Sequence, residues 1–129
     1  MKTYMSRKAH PEQGIEIVRE GEITRVYFDF EDSENTIAMG DETPVTEEIT
    51  TAEVVDVVGL AGYGEIASAI INDRYTNDKM QAVIANWLNA DTVEDDAKRS
   101  EYAAEYETMQ QWRKHAKEVA RKAVAMMQQ

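Results

Sequence analysis

The 129-residue chain contains no cysteine, only two prolines and six glycines, and just two histidines. Without cysteine there is no disulfide and no thiolate, so a zinc site would have to be built from histidine and carboxylate alone. His10 and His115 stand 105 residues apart, and each reads more simply as a surface residue than as a ligand. No metal or other cofactor is expected. No apolar run approaches the roughly 20 residues that span a bilayer. The opening residues, Met1-Lys2-Thr3-Tyr4-Met5-Ser6-Arg7-Lys8, have no apolar stretch behind their positive charges, so a secretory signal is not expected. The expectation is a cytoplasmic protein without a membrane-spanning segment. Basic residues are also few. Fourteen Lys and Arg against 25 Asp and Glu give a net charge of −11, whose field repels nucleic acid and anionic membranes alike. Neither is expected as a partner.

Catalytic signatures are missing too. There is no Gly-x-Ser-x-Gly elbow. The glycine-rich stretch Gly59-Leu60-Ala61-Gly62-Tyr63-Gly64 lacks the Gly-Lys-Ser/Thr of a phosphate loop and the spacing of a dinucleotide fingerprint, and reads as a hinge or helix crossing. Asp91-Thr92-Val93-Glu94-Asp95-Asp96 is dense in carboxylates but has no central glycine of a calcium loop; acids there suit a helix N-terminus. The expectation is a protein that is not an enzyme, with no catalytic residues.

What the sequence does have is a long helical stripe. Steps of three and four residues from Tyr102 meet Glu105, Met109, Trp112, Ala116, Val119, Ala123 and Met126, a 3.5-residue spacing that marks a helix-packing seam. The final helix should run from Val93 or Asp96 to near Met127. Thirty residues of helix span about 45 Å, longer than the roughly 35 Å diameter of a compact chain of this size. The excess should fall at the C-terminal end, leaving apolar surface there for a second copy or another protein. Met109, Trp112, Ala116, Val119, Ala123 and Met126 are therefore the candidate partner-binding residues, although the same pattern serves an internal groove equally well. Arg113, Lys114, Lys117, Arg121 and Lys122 face only Glu118, so this helix begins acidic and ends basic, as the helix macrodipole favours.

The remaining pattern is α+β: a small N-terminal antiparallel β-sheet (a hairpin or meander), then a helical C-terminal half ending in one long helix. A single domain over residues 1–129 would have a β-rich part at 12–40, an acidic linker at 41–49 and a helical part at 50–129. Arg19-Glu20-Gly21-Glu22 is a hairpin connection. In residues 23–30, period-2 alternation puts Val26, Phe28 and Phe30 on one face. Residues 31–35 read as a turn and 36–39 as a short third strand. Thr50-Thr51-Ala52-Glu53 fits a capping box, with Thr50 at N-cap, opening a helix that breaks at the glycines and restarts over residues 65–74. Thr76 should cap a helix over Asn77–Leu88. Acids dominate residues 12–34 (eight against two bases) and residues 41–56 (six against none).

Three stretches carry a resemblance: Val26-Tyr27-Phe28-Asp29; residues 71–86, Ile-Asn-Asp-Arg-Tyr-Thr-Asn-Asp-Lys-Met-Gln-Ala-Val-Ile-Ala-Asn; and residues 105–117, Glu-Tyr-Glu-Thr-Met-Gln-Gln-Trp-Arg-Lys-His-Ala-Lys. They resemble segments of a family of small uncharacterised proteins encoded in phage and prophage regions of anaerobic gut bacteria. The resemblance implies a virion-associated or assembly-related accessory protein and transfers no catalytic residue. The expected function is thus protein–protein interaction or assembly through the amphipathic C-terminal helix, with self or a foreign protein as partner and a homo-oligomer as one outcome. The alternative is an acidic decoy that occupies the DNA site of a host protein.

Overall fold

The computed structural model describes residues 1–37, 40 and 43–128. The chain divides into two compact units, Met1–Leu60 and Ala61–Gln129, where the sequence pattern suggests one domain that turns helical at residue 50. The architecture is α+β.

In the first unit, β1 (Lys2–Ser6), β2 (Ile15–Glu20), β3 (Ile23–Ile37) and β4 (Val45–Val58) form one antiparallel sheet in the order β1-β4-β3-β2. Gly21-Glu22 joins β2 to β3. Gly21 takes a φ of 60°, which the first position of a two-residue type II′ hairpin turn requires. The β3–β4 register sets Thr24, Val26 and Phe28 beside Val57, Val55 and Glu53. Ile15 and Ile17 of β2 pair with Phe28 and Val26, so they share that face. Ile15, Val26, Phe28, Val55 and Val57 are buried, which makes this the core side of the sheet. On the other face Arg25 lies opposite Asp56, with Nε donating to Oδ1 at 2.8 Å and an Nη to Oδ2 at 3.2 Å. That fork holds the Asp56 carboxyl below its ordinary value, because both hydrogen bonds favour the ionised form.

Several expectations are corrected here. The acidic linker at 41–49 and the helix from Thr50 are largely β4, with Asp41 and Glu42 outside the described residues. Nine of the fourteen β4 residues are Val, Ile or Thr, whose stiff χ1 suits a pleated strand better than a helix. Thr50 is therefore a fully buried strand residue and not an N-cap, and Glu53 is buried in the same strand. Residues 31–35 are strand rather than turn. Of the expected strand at 36–39, Thr36 and Ile37 continue β3, while Ala38 and Met39 lie outside the described residues. A bulge lies inside β3. The register slips by one residue between Phe28 and Glu31, and Asp29 sits at a φ of 55°. One extra residue inverts the period-2 alternation. Phe30 accordingly leaves the Val26–Phe28 face, and its ring centre stands 6.0 Å from that of His10.

In the second unit, α1 (Tyr63–Arg74), α2 (Asn77–Leu88), a single 3₁₀ turn (Ala90–Thr92) and α3 (Asp96–Met127) follow in order. Side chains cap the N-termini of α2 and α3. Thr76 accepts from the Lys79 amide, as its position suggests, and Asp95 accepts from the amides of Ala97 and Lys98 at 3.0 and 3.4 Å. α3 has 32 residues, about 48 Å of helix. α1 packs along it. Ile66, Ala67 and Ile70 of α1 are buried, as are Met109, Trp112, Ala116, Val119, Ala120 and Ala123 of α3. The three α3 alanines are fully enclosed, and their small side chains permit a close helix approach.

Candidate functional site

Of the six residues of the helical seam, Met109, Trp112, Ala116, Val119 and Ala123 are interior, and Met126 alone is half-buried. Trp112 shows why the seam turns inward. Its indole Nε1 donates to the Ile70 carbonyl of α1 at 3.0 Å, and the Arg74 guanidinium lies over its ring, 3.6 Å from the centroid. A buried tryptophan needs a partner for its N–H, and α1 supplies it. Five of these six residues thus offer no surface to a second molecule. The loosely packed end of α3 is also the opposite of the expected one. Residues 96–108 hold no buried side chain, and their main aromatic contact is Tyr106 stacked on Trp87 of α2 at 4.1 Å and 7°. Beside that stack, Trp87 is 41% and Leu88 65% exposed.

A polar cluster locks one face of the sheet. Thr50 Oγ1 donates to Asp32 Oδ1 at 2.9 Å and accepts from the Lys8 amide at 3.1 Å. His10 Nε2 donates to the same Asp32 oxygen at 2.9 Å. Arg7 reaches over the strands, donating to the carbonyls of Ser33 at 2.9 Å and Ile49 at 3.3 Å. Asp32 is held below its ordinary pKa by the His10 hydrogen bond first and the Thr50 hydroxyl second. The order of groups is hydroxyl, carboxylate, imidazole. The carboxylate therefore separates the other two, whereas nucleophilic activation needs the base beside the hydroxyl. With Thr50 fully buried, the arrangement fastens residues 7–10 to the sheet.

Beyond this lock β3 and β4 continue with no other strand paired to either among the described residues. β1 pairs with β4 only as far as Ile49, and β2 pairs with β3 only as far as Phe28. The pairs Glu34↔Glu48, Asn35↔Glu47, Thr36↔Thr46 and Ile37↔Val45 form a two-stranded ribbon, open along both edges. Every described side chain from Glu31 to Thr36 and from Val45 to Glu48 is exposed. Residues 31–49 carry seven acids and no base. Glu34 and Glu48 stand directly opposite each other, a like-charge pairing that destabilises a ladder, and among the described residues no ion pair relieves it. At the base of the ribbon a groove of about 280 Å³ is lined by Tyr4, Met5, Ser6, Asn35, Glu47 and Ile49. The acidity of this stretch is visible in the sequence, but read as a turn at 31–35 and a linker at 41–49 it gives no hint that Glu34 and Glu48 are brought together.

The basic stretch of α3 also differs from expectation. The helix continues to Met127, and its last turn holds no basic residue. Macrodipole effects fade within the final turn, so they do not account for charges placed earlier. Arg113, Lys117 and Arg121 follow at i, i+4 and i+8, with Lys114 beside them. Lys114, Lys117 and Arg121 make a stripe on the side away from Trp112, Ala116 and Ala123, while Arg113 is half-buried at its margin and donates to Gln110 Oε1 at 3.3 Å. Lys114, Lys117 and Arg121 are exposed, and among the described residues no ion pair reaches them.

Among the described residues no group of three or more His, Asp or Glu side chains is placed to hold a metal ion, and no helix is long and apolar enough to cross a membrane. No protein-family model matches the chain, and no curated protein or solved structure matches it.

Proposed function

We propose that this is a non-enzymatic interaction or assembly protein that engages a cationic protein surface through the β3–β4 ribbon. One observation carries the reading: a two-stranded ribbon, exposed on both faces, that sets Glu34 directly against Glu48. An isolated two-stranded ribbon is only marginally stable, and opposed carboxylates weaken it further. A cation placed between the two strands relieves that repulsion, so binding and ribbon order reinforce each other. An assembly setting, virion-associated or accessory, is part of this proposal. The test is a calorimetric titration with a decalysine peptide, comparing wild type with a Glu34→Gln/Glu47→Gln/Glu48→Gln variant. The expected result is an affinity loss of about tenfold from removing these charges. Equal affinities would show that the other acidic tracts do the binding and would overturn the reading.

The same ribbon charge supports a second reading, a decoy that occupies the DNA site of a host protein. It requires salt-sensitive competition with DNA for that site. The basic stripe on α3 opposes it, since such a host site would repel those charges.

A further inference from the structure

We infer that the occupant of the acidic ribbon is the basic stripe of α3 on a second copy of this chain. The inference rests on the ribbon reading above and adds the identity of the partner.

The argument is one of complementary surfaces, both left open. The ribbon is an unpartnered piece of sheet with the carboxylates of Glu34 and Glu48 side by side on one face and Glu31 and Glu47 on the other. The exposed α3 stripe of Lys114, Lys117 and Arg121 has no ion pair within its own unit among the described residues and only Glu118 at its margin, and its position inboard of the last turn leaves it unexplained by the helix dipole. The dimensions agree. Lys117 to Arg121 spans four residues, about 6 Å of helix, and Asp32 to Glu34, which share one face of β3, span about 7 Å of strand. A helix laid along the ribbon therefore brings two or three cations within reach of the Glu34–Glu48 pair. The chain carries both halves of the contact, so its own concentration drives association. Because the two patches differ, the contact is head-to-tail. It forms a ring if the rotation closes and a filament if it does not, which is the geometry of an assembly protein.

The test is sedimentation velocity on the full chain and two charge-reversed variants, Glu34→Lys/Glu48→Lys and Lys117→Glu/Arg121→Glu. All four positions are exposed, and circular dichroism checks that each variant is folded. Wild type at about 20 mM salt should sediment as a species larger than the 14.7 kDa monomer and return to the monomer at about 0.5 M, where screening is strong. Each variant alone should be monomeric at both salt levels. An equimolar mixture of the two should associate again, because each then supplies the other's complement. A monomeric wild type at low salt, a variant that keeps the wild-type mass, or a mixture that stays monomeric would each overturn the inference. If wild type is monomeric while decalysine binding still depends on Glu34, Glu47 and Glu48, the ribbon reading stands and its occupant is a foreign cationic protein. If both experiments fail, both readings fall.

Discussion

Truncating Trp112 distinguishes a core seam from a docking seam. The side chain is 7% exposed, and a tryptophan buries 150–250 Å². Losing about 150 Å² of that at about 25 cal/mol per Å² removes roughly 4 kcal/mol, in line with about 3–5 kcal/mol for Trp→Ala in protein cores. Trp112→Phe keeps a six-membered ring against Arg74 but loses the indole N–H to the Ile70 carbonyl. It should cost about 2 kcal/mol, half from the hydrogen bond and half from lost area. A urea titration followed by far-UV circular dichroism reads both variants, and Trp87 fluorescence provides a second probe. With a urea slope of about 2 kcal/mol per M, the midpoint should fall by about 2 M for Trp112→Ala and about 1 M for Trp112→Phe. If Trp112→Ala left the midpoint within about 0.3 M of wild type at unchanged slope, Trp112 would be a surface residue in solution. The seam would then return to partner binding.

Thr50→Val removes the hydroxyl that joins Lys8 to Asp32 and should cost about 1 kcal/mol in a urea titration; no change would mean residues 7–10 are not fastened to the sheet. Asp32 is held below its ordinary pKa in the folded chain, so its contribution to stability is complete above the unfolded value of about 4 and is lost as pH falls through the folded value. Asp32→Asn should therefore flatten the acid limb of a melting temperature–pH profile below about pH 4, and an unaltered limb would remove the cluster from the account. At the bulge, Asp29→Val places a β-branched residue at a φ of 55° and should cost about 1–2 kcal/mol more than Asp29→Asn in thermal melts; equal costs would argue that the bulge is absent in solution.

The helical unit was legible because its signals are local. Thr76 and the apolar spacing after it mark α2, and the 3.5-residue stripe from Tyr102 to Met126 marks the body of α3, which runs from Asp96, the later of the two starts the sequence allows, to Met127. The sheet was only half legible, for two physical reasons. Thr50-Thr51-Ala52-Glu53 satisfies a capping box, but it lies in a strand whose pairing with β1 and β3 overrides the local pattern. Its high content of Val, Ile and Thr was the available signal. Asp29, an ordinary strand neighbour in sequence, inverts the alternation after it, so neither the course of β3 through Glu31 nor the side taken by Phe30 follows from a period-2 reading. The candidate site was less legible still. A helical stripe does not reveal which surface covers it, and α1 does so here at Trp112. The Glu34–Glu48 pair exists only through cross-strand register, which no single stretch of sequence encodes.

The most direct test of the account is the ¹⁵N NMR spectrum of the wild-type protein at low salt, followed as the sample is diluted. If the ribbon and the α3 stripe form the contact, amide shifts will move for residues 31–37, 45–49 and 113–122, with those changes abolished by added salt. Movement centred instead on Trp87, Leu88 and the residues near them, or no movement on dilution, would contradict it.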